Sequence, residues 1–489
     1  MKNNVSVKGW KERILNREYS PALWLWIAAC GVILLLSVSH TYNDLLITVK
    51  QSIHFWDLLG QGRPLDFYQD SIMYTGNIWY NWQPQGAGYP FLVYLVFAVW
   101  NFPLWLVEQR IGDGLLNSLP CLFWTKLLLM LAIALSARAM YRIVSRFEET
   151  EARRQQVVFA YLTGILLLSG TCIASQYDII TSLFILMGLD AWLQDKHTVF
   201  VACFAFAVGF KYFAFLPFAP LLLLGEKNLL KILRDVVLVW VPTLLLQLPF
   251  SIGDSTRGLV MGSTKRLITK FVRVDCQLGD TQFCWFILAV AAVCLWCYFS
   301  PKKPRLALKG HVFFAELAAM GTFCILAGIF PYWAVLAMPF FVLAAFCAPE
   351  PLRAKAVLCE TAMSAMMYIL HMLNYDFIYG SRTMLSMIWP RILGVTGIKF
   401  ESVGFALFKK IGITDPIYFS AIMVLAWVAL MLLCYPRRKA PDAAALAESW
   451  YEPPFSIVFY GRMIANWFLA FIPTIVFFMS VFEYYSGVR

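Results

Sequence analysis

Apolar runs, many of them about 18 residues or longer, recur along the 489-residue chain between short polar segments. A run of that length crosses the hydrocarbon core of a bilayer as a helix. The pattern predicts an all-α polytopic membrane protein, because an outer-membrane barrel would show alternating segments of about ten residues. We predict about 13 transmembrane helices, over residues 21–39, 119–142, 155–174, 178–194, 198–210, 212–225, 230–250, 283–299, 311–330, 332–348, 356–373, 416–435 and 459–482.

Basic residues predict how these helices are oriented, because loops rich in Lys and Arg stay on the cytoplasmic side. The N-terminal segment is basic, and a second basic cluster, Arg138 to Arg154, follows the run 119–142. If the run 90–107 also crossed the bilayer, that cluster would lie outside. We therefore interpret 90–107 as an interfacial or re-entrant helix that Pro103 breaks. The prediction is a multi-pass protein of the cytoplasmic (inner) membrane, with its N-terminus inside and its C-terminus outside.

Composition agrees with a membrane protein and excludes one class of partner. The chain is 60% hydrophobic and 14% charged, with a mean hydropathy of +0.67. Its net charge of +11 predicts no nucleic-acid partner, since most basic residues lie in short loops that membrane orientation already explains. Of the 12 cysteines, only Cys276 and Cys284 share a predicted outer loop. They form a disulfide if that compartment is oxidising and stay thiols if it is not.

The predicted outer loop 40–118 is rich in polar and aromatic residues and follows the first helix directly. A carboxylate at the boundary between water and membrane can act as a general base, which makes Asp44 the candidate catalytic residue. The alternative is that Asp44 caps a helix by accepting a backbone hydrogen bond. His54 and Asp57 are candidates for lining a substrate cavity. A lone histidine among aromatic residues is, however, usually a hydrogen-bonded structural residue.

A second predicted outer loop, 251–282, is rich in Lys and Arg. This is unusual, because outer loops generally contain few of these residues. Arg266, Lys270 and Arg273 would share one face of a helix. Fixed cations stabilise the charge that develops on a leaving phosphate, and a guanidinium can hold a phosphate with two hydrogen bonds. The alternative is a solvated basic face that touches anionic lipid headgroups. The candidate phosphate-binding residues of this loop are Arg257, Lys265, Arg266, Lys270 and Arg273.

Lys211 lies within an otherwise apolar stretch, where a charge is costly unless it is paired or faces a polar cavity. We predict that it binds a donor phosphate or pairs with Asp178. The alternative is a purely structural Lys–Asp pair that holds two short helices together. Gln176 and Tyr177, directly before Asp178, are predicted to line the substrate cavity.

Two further candidates for the substrate cavity lie in the second half of the chain. Tyr332 belongs to the aromatic sequence Phe330-Pro-Tyr-Trp333, and His371 ends a predicted span before the outer loop 374–415. The five histidines of the chain are scattered, and no zinc-type spacing exists among them. We predict no bound metal site in the protein itself. A divalent cation, Mg or Mn, that bridges Asp44 and a substrate phosphate remains open.

Several of these features, in this order and on one predicted side of the membrane, carry a resemblance to a known family. They are the Asp44 loop with Gly62-Arg-Pro, then Gly-Tyr-Pro90, Gln176-Tyr-Asp178 and Lys211 at a helix break. Phe330-Pro-Tyr-Trp333 followed by Met338-Pro adds to them. Over residues 20–350 the chain resembles the GT-C superfamily of integral-membrane glycosyltransferases, most closely its mannosyl- and glucosyltransferase branches.

The resemblance implies a GT-C-like catalytic module at 1–350, with C-terminal helices at 351–489. It further implies a polyprenyl-phosphate-sugar donor, a lipid-linked or cell-surface glycan acceptor, and an extracytoplasmic active site at which Asp44 is the base of an inverting hexosyl transfer. Some relatives carry Asp-x-Asp after the first span, whereas Leu45 and Leu46 follow Asp44 here. Asp44 then works alone, or Asp57 or Asp66 supplies a second carboxylate.

Two other functions stay open from the sequence. One is a ligase or polymerase that uses a polyprenyl-diphosphate-linked glycan, since such proteins are also polytopic and hold arginines in a large outer loop. The other is a lipid or glycan transporter (flippase). A transporter typically has paired inverted halves with interrupted helices at corresponding positions, and we find no such pairing in the sequence.

The phosphate-binding role of the loop 251–282 is testable by mutation. Arg266→Ala and Arg273→Ala should each weaken binding of a polyprenyl-phosphate, because each removes a guanidinium that can hold the phosphate with two hydrogen bonds. Binding of the purified variants in detergent measures the effect. Unchanged affinity in both variants would remove this loop from the site.

Overall fold

The computed structural model describes the chain over residues 20–71, 76–77, 80–81, 86–112, 118–148, 150–251, 275–278, 281–380, 388–394, 407–408, 411–413, 415–416, 417–436 and 454–486. The described residues form an α-helical bundle with two short antiparallel hairpins. One hairpin pairs β1 (Gly76–Asn77) with β2 (Tyr80–Asn81). The other pairs β3 (Asp275–Leu278) with β4 (Thr281–Cys284), and its register sets Asp275 opposite Cys284.

Fifteen of the described helices have nine or more residues and make up the bundle. They are α1 (Leu23–Ser39), α2 (Asn43–Gly60), α3 (Phe91–Ile111), α4 (Leu119–Val144), α5 (Glu151–Leu162), α6 (Asp178–Leu193), α7 (His197–Phe210), α8 (Phe215–Gly225), α9 (Leu229–Gln247), α10 (Trp285–Phe299), α11 (Lys309–Leu326), α12 (Met338–Phe346), α13 (Glu350–Asn374), α14 (Ile417–Cys434) and α15 (Phe455–Tyr485). Shorter helical turns are Pro64–Asp66, Phe67–Asp70, Ile165–Leu167, Leu168–Ile173, Tyr212–Ala214, Leu248–Ser251, Arg305–Leu308, Pro331–Leu336, Asp376–Tyr379 and Ile388–Leu393.

Seven helices of the described residues are long and apolar enough to cross a membrane. They are α3, α4, α13, α14, α15 and the stretches Glu151–Ile173 and Arg305–Leu326. The pair α1 and α2, bent by 73° between Ser39 and Asn43, makes an eighth if it counts as one span. The chain is therefore a helical multi-pass membrane protein, as the apolar runs predicted. The number of about 13 spans stays a prediction, because several other apolar helices have only 10–17 residues.

Helix α3 corrects one expectation about the run 90–107. Pro103 lies inside a continuous helix and does not break it. A proline removes a single backbone hydrogen bond, which a long apolar helix packed against neighbours tolerates. Helix α3 is itself one of the candidate membrane spans, so its interfacial placement stays a prediction. Its contacts join it to α2 and α4. Trp100 exchanges hydrogen bonds with Trp124 in the first turns of α4, and Trp105 donates to Asp57 of α2.

Helices α6 and α7 form an antiparallel hairpin that defines the two ends of the bundle. Lys211, directly after α7, lies 3.2 Å from Asp178 at the start of α6. We call this the Asp44 end, because Gln176 contacts Asp44 there. At the opposite end, Asp190 near the end of α6 binds Arg142 of α4 and Arg146 in the turn that follows α4. We call it the Asp190 end, about 18 Å away along α6 at 1.5 Å per residue.

Two glycines lie in closely packed places at the Asp44 end. A Cβ on Gly170, in the interrupted helix that follows α5, would lie 3.1 Å from the Cα of Tyr332. A Cβ on Gly209, near the end of α7, would lie 2.9 Å from Leu92 of α3 and 3.0 Å from Thr243 of α9. At Gly170 a larger residue would collide with the backbone of Tyr332, whereas at Gly209 the nearest atoms belong to side chains. Gly170 therefore lets the helical turn Leu168–Ile173 lie directly against the segment that carries Tyr332.

A buried ion pair ties the C-terminal helix α15 to the rest of the bundle. Arg462 donates to both carboxylate oxygens of Glu360 in α13, at 2.6 and 3.0 Å, and to the carbonyl oxygen of Ala160 in α5. Both charged side chains are almost fully buried, at 1% and 0% exposure. One turn further along, Asn466 donates to the carbonyl oxygen of Thr163. These polar side chains of α15 thereby donate hydrogen bonds to backbone carbonyl oxygens where the helix α5 ends.

Removing one partner of this pair should destabilise the protein strongly. Arg462→Met leaves Glu360 buried without its cation, and we expect a loss of about 3–5 kcal/mol in the free energy of unfolding. The double variant Arg462→Met with Glu360→Leu should recover most of that loss, because it buries no charge. Denaturant unfolding in detergent measures both. Equal destabilisation by the single and the double variant would contradict this account.

Candidate functional site

Asp44 lies at the bend between α1 and α2, at the Asp44 end of the bundle. It is the second residue of α2 and follows the N-cap residue Tyr42, whose side chain makes no capping hydrogen bond. A negative charge is favoured in the first turn of a helix. The Oδ2 atom of Asp44 accepts hydrogen bonds from the Tyr89 hydroxyl at 3.1 Å and from the Gln176 amide at 3.2 Å. Two segments distant in sequence thus hold this carboxylate in place.

The second charged group of the site is the buried pair of Lys211 and Asp178. The backbone of Lys211 is extended, with φ −147° and ψ 119°, because α7 ends at Phe210. The Lys211 ammonium lies 3.2 Å from Asp178 and 4.5 Å from the centre of the Tyr89 ring. Aromatic rings attract a cation over their faces. The rings of Tyr177 and Tyr332 add to this environment at 5.3 and 5.9 Å.

Tyr89 connects the two charged groups. Its hydroxyl donates to Asp44, and its ring faces the Lys211 ammonium. Asp44 is half-buried, whereas the side chains of Gln176 and Asp178 are fully buried. The buried Oε1 atom of Gln176 has no hydrogen-bond partner among the described residues. The site therefore combines one partly exposed carboxylate with a buried cation and an unused polar acceptor.

Two residues that were not predicted as site residues, Tyr89 and Lys126, have a part in this arrangement. Lys126, buried in α4, donates to the carbonyl oxygen of His40 at 2.7 Å and to the Ser175 hydroxyl. His40 precedes the bend that carries Asp44, and Ser175 precedes Gln176. Ser175 has a φ of +55°, a conformation that is uncommon for a residue other than glycine. Lys126 thus links the two segments that meet at Asp44.

A signal for both residues was present in the sequence. Lys126 is a charge within the apolar run 119–142, the same criterion that selected Lys211. Tyr89 is the middle residue of the Gly-Tyr-Pro90 sequence that contributed to the family resemblance. What the pattern lacked was the identity of their partners.

His54 and Asp57 lie further along α2 and belong to a different cluster. Their side chains are 3.8 Å apart. The Oδ1 atom of Asp57 accepts hydrogen bonds from Trp105 at 2.8 Å and from Gln109 at 2.9 Å. Thirteen residues of helix separate Asp57 from Asp44, which corresponds to about 20 Å. The two candidates are therefore not brought together with Asp44.

The expectation that Asp57 or Asp66 supplies a second carboxylate beside Asp44 is corrected by these contacts. Asp66 pairs with Arg63 at 2.7 Å in an exposed turn. The carboxylate that shares the surroundings of Asp44 is Asp178, through Lys211 and Tyr89. Asp178 pairs with Lys211 as predicted, and its place in a substrate cavity stays a prediction.

His371 lies near the end of α13, close to the segment that carries Tyr332. Its ring packs against Tyr375, whose hydroxyl donates to the carbonyl oxygen of Ile329 at 2.8 Å. The Tyr375 ring also contacts Phe330. The Nδ1 atom of His371 is buried and has no hydrogen-bond partner among the described residues. His371 is thus adjacent to the site through this aromatic layer rather than in contact with Asp44.

Several predicted residues lie outside the described part of the chain. The structure describes nothing of residues 252–274, and the side chains of 275–283 are outside it as well. The side chain of Cys276 falls in that range, so the possible disulfide with Cys284 lies outside the described residues. The basic candidates that fall there are Arg257, Lys265, Arg266, Lys270 and Arg273.

The described residues contain no group of three or more His, Cys, Asp or Glu side chains that converge as metal ligands do. A cation that joins Asp44 to a phosphate would therefore need the substrate, or groups outside the described ranges, to complete its ligands.

Comparisons with known proteins identify no family for this chain. No protein-family model matches it, and no curated protein is significantly similar to it. The function therefore has to be inferred from the geometry of the site and from the sequence motifs that form it.

The Lys211–Asp178 pair allows a stability test of its structural role. Lys211→Met leaves Asp178 buried and unpaired, so the free energy of unfolding should fall by about 3–5 kcal/mol. Lys211→Met combined with Asp178→Asn removes both charges and should recover most of the loss. Denaturant unfolding in detergent measures the difference. A Lys211→Met variant as stable as the parent would show that the pair contributes little to folding.

Proposed function

We propose that this protein is a GT-C-type hexosyltransferase. It moves a hexose from a polyprenyl-phosphate-linked donor to a lipid-linked or cell-surface glycan acceptor at the outer face of the cytoplasmic membrane. One observation carries the proposal: the Asp44 carboxylate, held by Tyr89 and Gln176, and the buried ammonium of Lys211 both contact the same residue, Tyr89. A base and a cation in one site are what transfer from a phosphate leaving group requires.

In the proposed reaction, the acceptor hydroxyl oxygen attacks the anomeric carbon of the hexose. The bond between that carbon and the phosphate oxygen breaks, and polyprenyl-phosphate leaves with the electron pair. The hydroxyl proton passes to Asp44. Because Tyr89 and Gln176 both donate to Oδ2, the Oδ1 atom is the oxygen available for that proton. Direct attack on a β-linked donor inverts the anomeric centre.

Lys211 is proposed to stabilise the charge on the leaving phosphate. A cation fixed in a buried site stabilises developing charge more than a solvated one does. Asp178 and the three tyrosine rings hold the ammonium in position. The loop cations Arg266 and Arg273, predicted from the sequence, would complete the phosphate site.

A second candidate function, transport of a lipid or glycan, is supported by a different observation. Three interrupted helices meet at the Asp44 end. They are interrupted by the bend at His40–Tyr42, by the non-helical residues 174–177 before α6, and by the extended residue Lys211 after α7. Discontinuous helices around a charged interior site are typical of secondary transporters. The buried polar groups of this site would then bind cargo rather than react.

Replacement of Asp44 distinguishes these functions. Asp44→Asn keeps the shape and the two hydrogen-bond donors but removes the base, so transfer from a polyprenyl-phosphate-sugar should fall about 10²–10⁴-fold. The matched control is Asp57→Asn on the same helix, which should retain activity. Transfer of labelled sugar by purified protein in detergent is the measurement. Undiminished transfer in Asp44→Asn would refute the role as base.

The doubly neutral variant Lys211→Met with Asp178→Asn separates a structural role from a functional one. If it folds stably but transfers no sugar, Lys211 acts on the substrate. If it retains full transfer, the pair is structural only. In proteoliposomes, movement of a labelled lipid-linked sugar across the bilayer without any transfer by the parent protein would favour the transporter.

A further inference from the structure

A basic cavity lies at the Asp190 end of the bundle, at the far side from Asp44. Its volume is about 630 Å³, and it opens broadly to the surroundings between the end of α4, the end of α6 and the turn before α11. The lining combines cations with apolar side chains. It includes Arg142, Arg146, Lys196, Tyr141, Leu193 and Leu306.

One buried carboxylate orients two of the cations. Asp190, only 5% exposed, binds Arg146 through one oxygen and Arg142 through the other, the latter at 3.0 Å. Gln194 also donates to Asp190, at 3.0 Å. Each guanidinium carries five N–H donors in a planar fork, so both arginines keep donors for another acceptor. The carboxylates next to the lining are Asp190 and Glu151, which accepts a hydrogen bond from Tyr141 and also pairs with Arg154. Three cations line the cavity itself, which leaves an excess of positive charge.

The surface of α4 that leads to this cavity is apolar and exposed. Leu127, Leu131 and Leu135 are 51%, 45% and 40% exposed and follow one another at four-residue spacing. Residues spaced by three or four lie on the same helix face, and Arg142 follows Leu135 by two turns. The distance from Leu131 to Arg142 is about 16 Å along the axis, roughly half of the 30 Å hydrocarbon core. One leaflet of acyl chain fits that length.

We propose that this cavity binds the headgroup of an anionic phospholipid. The phosphodiester accepts hydrogen bonds from Arg142, Arg146 and Lys196, and an acyl chain lies along Leu131 and Leu135. A zwitterionic headgroup binds less well, because its own ammonium meets the same cations. The inference depends on the membrane character of the chain and not on the proposed transferase activity. Basic pockets between transmembrane helices are a known form of lipid recognition.

Native mass spectrometry of the full-length protein in detergent, titrated with phosphatidylglycerol and phosphatidylcholine, tests the proposal. The parent should bind phosphatidylglycerol more tightly. Arg142→Gln with Lys196→Gln should weaken that binding by about 30-fold. Each basic residue near an anionic lipid surface contributes about 1 kcal/mol, and about 1.4 kcal/mol corresponds to a tenfold change in affinity. Asp190 keeps Arg146 as its partner in this variant, so folding should persist.

Two further variants separate the cavity from general charge and from misfolding. Lys231→Gln with Lys302→Gln makes the same charge change at exposed positions outside the cavity lining, and should leave binding unchanged. Arg142→Lys with Lys196→Arg keeps the charges and should retain most of the affinity.

Three results would overturn the proposal. They are equal affinity for both lipids, an equal loss in the control double variant, and unchanged binding in Arg142→Gln with Lys196→Gln. The same binding measurement is made with soluble glycerol 3-phosphate. If it binds as tightly as the lipid does, the cavity is a site for a free phosphate and not for a phospholipid.

Discussion

A charge can be buried inside an apolar helix bundle only when another group compensates it, and this constraint governs how the described helices associate. Asp178 and Lys211 close the α6–α7 hairpin, Glu360 and Arg462 join α13 to α15, and Asp190 joins α6 to α4. Lipid tails provide no apolar driving force between helices, so packing and polar contacts of this kind select partners. The buried charges therefore specify neighbours as well as contributing to stability.

Helices are interrupted at the Asp44 end, and these interruptions leave backbone carbonyl groups free to accept hydrogen bonds from buried side chains. A regular helix uses its carbonyl oxygens internally, whereas the bend after α1 frees the carbonyl oxygen of His40 to accept from Lys126. The extended backbone at Lys211 turns its side chain toward Asp178. Irregular backbone at membrane depth is tolerated where it is buried in protein or lines a polar cavity. The interruptions and the charged residues are thus two parts of one arrangement.

The two ends of the α6–α7 hairpin differ in how their charges are presented. At the Asp44 end the cation is buried among tyrosine rings and the carboxylate is partly exposed. At the Asp190 end the carboxylate is buried and the cations reach the surface. In the two proposals, the first arrangement abstracts a proton beside an anionic leaving group, and the second binds a stationary anion. Similar residue types are thus proposed to do different chemistry, according to whether the carboxylate or the cations are exposed.

The apolar runs by themselves determined that this chain is a helical multi-pass membrane protein, because the cost of exposing backbone and charge to hydrocarbon acts residue by residue. The same local cost selected Lys211 and Asp178 as residues of interest. Only the tertiary structure decided that Tyr89 and Gln176, 45 and 132 residues away along the chain, hold Asp44, and that Asp178 rather than Asp57 shares its surroundings. Hydropathy reports what a residue's environment must be and carries no information on which distant side chain supplies it. The continuity of α3 through Pro103 was likewise a matter of packing, since neighbouring helices compensate the backbone bond that proline removes.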